Sequence, residues 1–205
     1  MPARIQVVGF RQKVDTTNAT VINTCFGGKP SHPAAWQLDL SPFVIGPCPL
    51  YGKHTALNME NGWQFTKLYA VHADKSGNPT QTFWDWMDKG IKNPKAIRFP
   101  MGRGKKPLHA WWDGRKLGYI DARKEIYAPL YAEAVQKTAG WTQLQGLYQS
   151  QTHLIFRDFD GYDHDKKGQD LTHVLNNPKR KMGHSFVLKM LLTDDPALKQ
   201  ILLRQ

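Results

Sequence analysis

The sequence predicts an α+β fold: a single, mainly helical domain with a small sheet, carrying a β-rich N-terminal extension. Three observations point there. Apolar residues recur at helical spacing behind Asn58 and again from Met182 to Leu191. Short β-branched runs lie near the N-terminus. Forty per cent hydrophobic residues, with seven Trp and nine Phe among 205, supply one full core and argue against a disordered chain. The boundary is drawn so that residues 1–39 form the extension and residues 40–205 the domain.

In chain order, Ile5-Gln6-Val7-Val8 and Ala19-Thr20-Val21-Ile22 read as short strands. Phe26-Gly27-Gly28-Lys29-Pro30 reads as a turn. Its paired glycines lack the Lys–Ser pair and the following helix that a phosphate loop needs. Ser31 to Pro49 is dense in proline, hence loop and edge strand. Asn58 is placed to cap a helix whose buried stripe is Met59, Trp63, Thr66 and Ala70. Glu60, Gln64 and Lys67 fall on the neighbouring stripe, so a carboxylate, an amide and an ammonium project side by side.

Asp74 to Pro79 is a turn, and Thr82 to Lys89 a short aromatic helix ending at Gly90. Arg98 to Pro107 is a glycine-interrupted basic loop, either a phosphate contact or a basic surface loop. Trp111-Trp112 then opens a helix predicted from Asp113 towards Ala128. Pro129 breaks it and Leu130 starts another. Thr152 to Phe159 is a strand of alternating character, Met182 to Leu191 an amphipathic helix, and Asp195-Pro196 begins a last helix through Leu203.

The net charge of +11 is uneven: from Lys89 to Lys124 eleven Lys and Arg face only Asp113 and Asp121, and Lys179-Arg180-Lys181 adds a second cluster. Such a field attracts phosphorylated ligands, DNA or RNA, and also serves solubility alone. Cys25 and Cys48 offer no disulfide framework and are expected as small buried hydrophobes. The N-terminal MPARIQVVGFRQKVD lacks a long apolar run and no stretch approaches bilayer length. A cytoplasmic protein with no membrane partner is expected.

Two acidic positions attract attention. Glu60 stands in a first helical turn beside large aromatic groups, where an ionised carboxylate activates water or stabilises a developing cation. Further on, Asp158, Asp160, Asp163 and Asp165 place four carboxylates in eight residues. An EF-hand reading fails, because Asp163 stands where that loop needs glycine and no glutamate closes it. A metal site, a solvated acidic turn and a catalytic or ribose-binding loop are the alternatives.

The order of these pieces resembles the NADAR superfamily, the YbiA-like N-glycosidases. The succession is Leu40-Ser41-Pro42-Phe43, then Glu60-x-x-Trp63-Gln64-x-x-Lys67, then Met101-Gly102-Arg103. Trp112, the acidic turn after Leu154-Ile155, and Met182-Gly183-His184-x-Phe186-Val187-Leu188-Lys189-Met190-Leu191 complete it. The resemblance covers residues 40–192. It implies cleavage of an N-glycosidic bond, in a phosphorylated riboflavin-pathway intermediate or in ADP-ribosylated guanine of nucleic acid. It also implies Glu60 as the catalytic glutamate, Trp112 as the aromatic group, Asp160 or Asp163 as the acidic partner, and Met101 to Arg103 as a loop lining the pocket. Two departures stand out. Gly161-Tyr162-Asp163-His164 replaces the family's Tyr-Trp-Gly, and the asparagine before its final Leu-Gly is absent.

The residues suit that chemistry in their own right. Breaking a ribosyl C–N bond passes through an oxocarbenium-like state that a carboxylate stabilises. Trp63 or Trp112 offers a stacking face, and Arg103, Lys105 and Lys106 offer phosphate contacts. Glu60, Asp160 and Asp163 are thus the catalytic candidates. Trp63, Gln64, Lys67, Arg103, Lys105 and Trp112 are the substrate-binding ones, with no metal or cofactor. The competing readings are a non-catalytic binder of an ADP-ribose-like nucleotide and a DNA-binding accessory factor.

Overall fold

A computed structural model describes residues 1–25 and 35–202. The turn expected at Phe26 to Pro30, the first residues of the proline-rich stretch and Leu203 lie outside the described residues. The fold is α+β. The chain divides into two compact units, residues 1–41 with 131–205, and residues 42–130.

The first unit is built on a parallel sheet. Strands β1 (Arg4–Gly9) and β2 (Thr20–Asn23) flank β8 (His153–Asp158), with Val7 opposite Phe156 and Ile22 opposite Phe156 on the other side. The segment read as an N-terminal extension therefore supplies two of the three strands. Its place in the middle explains why β8 does not behave as a half-buried alternating strand. Leu154, Ile155 and Phe156 are all buried, as both faces of a central parallel strand require. Helices α1 (Ala35–Leu38), α6 (Ala139–Ser150), α7 (Leu171–Asn176), α8 (His184–Leu192) and α9 (Pro196–Leu202) belong to this unit. In α8 every residue from His184 to Met190 is buried, so the stripe expected from sequence is a helix enclosed on all sides except at its last two residues. The thiol of Cys25 is likewise buried, as is that of Cys48 in the second unit.

The second unit holds two small antiparallel sheets and the helices that pack on them. Strand β3 (Cys48–Pro49) pairs with β4 (Thr55–Ala56). Strand β5 (Lys67–Leu68) pairs with β6 (His109–Trp112), and β6 with β7 (Arg115–Leu117). Helices α2 (Met59–Phe65) and α3 (Gln81–Ile91) bury Phe65, Phe83, Met87 and Ile91 with Ala56 and Leu68 in one cluster. Helix α3 does not stop at Gly90 but passes through it. A Cβ there would lie 2.0 Å from Phe65 Cδ1, so the glycine is a packing residue and not a terminator.

The helix predicted from Asp113 to Ala128 is corrected. Trp111 and Trp112 lie in β6, and Asp113-Gly114 is the tight turn of a hairpin, with φ of 46° and 78°. Both central residues of such a turn need positive φ, which Asp-Gly supplies. Helix then runs from α4 (Tyr119–Ala122) through a π turn (Arg123–Tyr127) into α5 (Ala128–Val135). Pro129 does not break it. The wider turn just ahead absorbs the missing N–H and the crowding of the proline ring.

Two outcomes test this packing. Gly90→Ala should cost about 1–3 kcal/mol in urea unfolding. Gly146→Ala, in α6 with nothing within 4 Å of a new Cβ, should be neutral or stabilise by up to about 1 kcal/mol. Burial pushes the pKa values of His72, His109 and His153 below the ordinary 6.5, helped at His109 by Lys116 and at His153 by Arg4. The folded state thus favours the neutral rings, and the unfolded chain takes up protons first. Their contribution to stability is whole above 6.5 and is lost as pH falls below it, which urea midpoints between about pH 8 and about pH 5 should record.

Candidate active site

Helix α2 is set in place by two asparagines. Asn58, extended at φ −142° and ψ 156°, accepts the Asn61 N–H on its side-chain oxygen at 2.9 Å. Asn61 Nδ2 donates to the carbonyls of Asn93 (2.9 Å) and Lys95 (3.0 Å), and its Oδ1 accepts the Ile97 N–H at 2.8 Å. The N–H groups of Met59 and Glu60 donate to the carbonyls of Ile45 and Pro42. The first-turn donors that a helix normally leaves open are thereby satisfied, and the Glu60 backbone is fixed.

On that support the three polar groups expected to project together do so. Gln64 Nε2 donates to Glu60 Oε1 at 2.9 Å, and Lys67 Nζ donates to Gln64 Oε1 at 2.7 Å. The amide can face only one way between a carboxylate and an ammonium, so the line is polarised from lysine to glutamate. Lys67 is not on the helix, which ends at Phe65 with Thr66 as its C-cap. It starts β5, and the helix end is tied by Thr66 Oγ1 donating to the Trp63 carbonyl at 3.0 Å. The ammonium lies 4.3 Å over the Trp63 ring, whose centroid is 5.2 Å from that of Tyr127. Glu60 is 5% exposed and Gln64 is buried, while Trp63 and Lys67 are half-buried. A carboxylate so enclosed needs donors to its charge, and the amide supplies one to Oε1.

The remaining binding candidates of this unit stand differently. Trp112, half-buried in β6, meets Tyr51 edge-on at 4.9 Å. Burial and the Asp113 charge push the Tyr51 hydroxyl well above its usual range. Arg103 and Lys105 lie in an exposed loop where Gly102 and Gly104 take φ of 95° and 86°. The guanidinium groups of Arg98 and Arg103 lie 5.5 and 5.7 Å from the Phe99 ring centroid. Sequence reasoning missed Arg123, 2% exposed within the π turn and 4.7 Å from the Tyr119 ring. Its signal was a lone arginine between Ala122 and Ile126, at apolar positions one helical turn apart.

The acidic candidates of the later segment belong to the first unit, whereas Glu60 belongs to the second. Asp163 is buried, accepting Gln6 Nε2 at 2.6 Å and the Lys166 N–H at 3.2 Å. Asp160 is half-buried, and its N–H donates to Asp158 Oδ1 at 3.0 Å. Asp165 accepts Lys189 Nζ at 2.8 Å, and the same ammonium is 3.0 Å from His164 Nε2. Among the described residues no group of three or more His, Cys, Asp or Glu is arranged to hold a metal ion.

Asp158, 3% exposed, is an architectural carboxylate. Its Oδ2 accepts the Ser185 N–H at 3.0 Å and lies 3.2 Å from His184 Nδ1, while His184 Nε2 lies 2.8 Å from the Thr24 carbonyl. A Cβ on Gly183 would fall 2.3 Å from Asp158 Oδ2, so only glycine lets the start of α8 approach so closely. The Tyr131 ring lies 5.4 Å from His184, and its hydroxyl is pushed far up by burial and then by the Asp158 charge. Asp158→Ala should therefore cost about 3–5 kcal/mol in chemical denaturation, because it leaves both the buried His184 ring and the Ser185 N–H without their acceptor. A loss under about 1 kcal/mol would deny it that role.

Among the described residues no helix is long and apolar enough to cross a membrane. Compared with family models, curated proteins and solved structures, the chain finds no match.

Proposed function

We propose that this chain is a NADAR-like N-glycoside hydrolase of the cytoplasm, cleaving a ribosyl C–N bond in a phosphorylated, nucleotide-like substrate. ADP-ribosylated guanine of nucleic acid and a ribosylamino-pyrimidine are the two substrate types in view. The observation that carries the reading is the polarised line from Lys67 through Gln64 to Glu60, set beside the Trp63–Tyr127 ring pair. It holds one buried carboxylate turned by a side-chain relay whose ammonium lies over an aromatic ring.

In the reaction the C1′–N bond breaks with its electron pair leaving on the base nitrogen, which takes up a proton. Positive charge builds on C1′ and the ring oxygen, and Glu60 stabilises it. Water then adds to C1′, and its proton passes to Glu60 and on to solvent, replacing the one that the base nitrogen took from solvent. Gln64 keeps the carboxylate turned, and the ammonium of Lys67 keeps Gln64 turned. Within this unit Trp63 and Trp112 are the stacking candidates, and Arg103 and Lys105 the phosphate contacts.

A binding-only use of the same groups is the competing reading, favoured by the half-buried Trp63 face with its neighbouring cation. Glu60→Gln separates the two. Base release, followed by chromatography from both substrate types, should fall by about 10²-fold or more, with ligand affinity kept within about threefold. Should the native chain release no base while a nucleotide raises its melting temperature, the hydrolase reading fails and the binder stands.

A further inference from the structure

Parallel strands β1 and β8 end side by side, and each is followed at once by a phenylalanine. Phe10 and Phe159 meet there with ring centroids 4.8 Å apart and planes tilted by 34°. Their closeness is built by the sequence. Gly161 lets the acidic turn fold back on β1, since a Cβ there would lie 2.4 Å from the Val8 carbonyl oxygen. The Phe10 N–H donates to the Asp158 carbonyl at 2.8 Å, and Arg157 Nη1 donates to the carbonyls of Phe10 (3.1 Å) and Gln12 (3.0 Å). The Phe159 N–H is held at 3.2 Å by Cys25 Sγ. Both backbones are fixed, and Phe159 as a residue is 49% exposed.

We infer that this aromatic pair is a stacking platform for the bases of a single-stranded nucleic acid. Four features favour that occupant. A planar ring on a fixed backbone stacks a base with little ordering cost. The carboxyl ends of parallel strands are where ligands of such sheets gather. Arg11 and Lys13 follow Phe10 directly and are exposed, giving phosphates their partners. The chain carries a net +11. Because Asp160 comes next after Phe159, the phosphates are assigned to the Arg11–Lys13 side. The platform is independent of the Glu60 chemistry.

The test uses the full chain and a short fluorescein-labelled oligothymidylate, with binding read by anisotropy at low salt. Phe159→Ala should weaken binding about tenfold, and Phe159→Trp should retain or tighten it. Neutralising Arg11 and Lys13 with glutamine should flatten the dependence of log affinity on log salt by about 0.7 for each cation. Circular dichroism and thermal melting check that each variant is folded. Absence of binding by the native chain overturns the platform, as does native affinity in both folded Phe159 variants. Loss of binding only when Lys105 and Lys106 are neutralised also overturns it. Base release from a free nucleotide-like substrate should survive Phe159→Ala, so failure of the platform is distinguishable from failure of the hydrolase reading.

Discussion

The first unit depends on one desolvated carboxylate. Asp158 sits at the end of the central strand, where its oxygens receive the N–H groups of the turn that follows and of the first turn of α8. Through His184 the same carboxylate is linked to the Thr24 carbonyl just beyond β2. A buried charge without such donors would cost several kcal/mol. With them it ties a strand, a turn and a helix that lie far apart in sequence, and it fixes where Phe159 and Asp160 stand.

Glu60 in the second unit is also a buried carboxylate, but the geometry around it differs in kind. The donor to its Oε1 is a side-chain amide, itself oriented by an ammonium. Backbone donors bind a carboxylate into the architecture, whereas a side-chain relay orients it and leaves the chain path to other contacts. Here those other contacts are the asparagine bonds of Asn58 and Asn61. This division of labour makes Glu60 a better candidate for chemistry than Asp158. It also makes Asp163, which Gln6 holds within the first unit, the more structurally committed of the two later aspartates.

Where the sequence was legible, a local rule decided the outcome. Asn58 capped its helix as its side chain requires, β1 and β2 formed from β-branched runs, and Glu60 met Gln64 because residues four apart share a helix face. Where it was misread, a nonlocal or rarer rule prevailed. Trp111 and Trp112 sit on a strand because Asp113-Gly114 is a tight-turn pair, a signal present in the sequence but outweighed by the apparent helical spacing of Leu117 and Ile120. The character of β8 depended on finding partners at both its edges, which no window of residues reveals. The passage of α3 through Gly90 depended on Phe65, twenty-five positions away (90 − 65).

The charge count needs the same correction from structure. Of the eleven cations between Lys89 and Lys124, Arg123 is buried and Arg115 pairs with Glu125 at 2.7 Å. Lys92 pairs with Asp88 at 2.7 Å, and Lys116 donates to the Ser76 carbonyl at 2.7 Å. Buried and bridged cations contribute little to the field that an approaching polyanion meets, because their charge is desolvated or compensated at short range. That field is carried more by Arg103, Lys105 and Lys106 on the glycine-hinged loop than by the segment as a whole. A cation count read from composition is thus an upper bound on the charge that this segment presents to solvent.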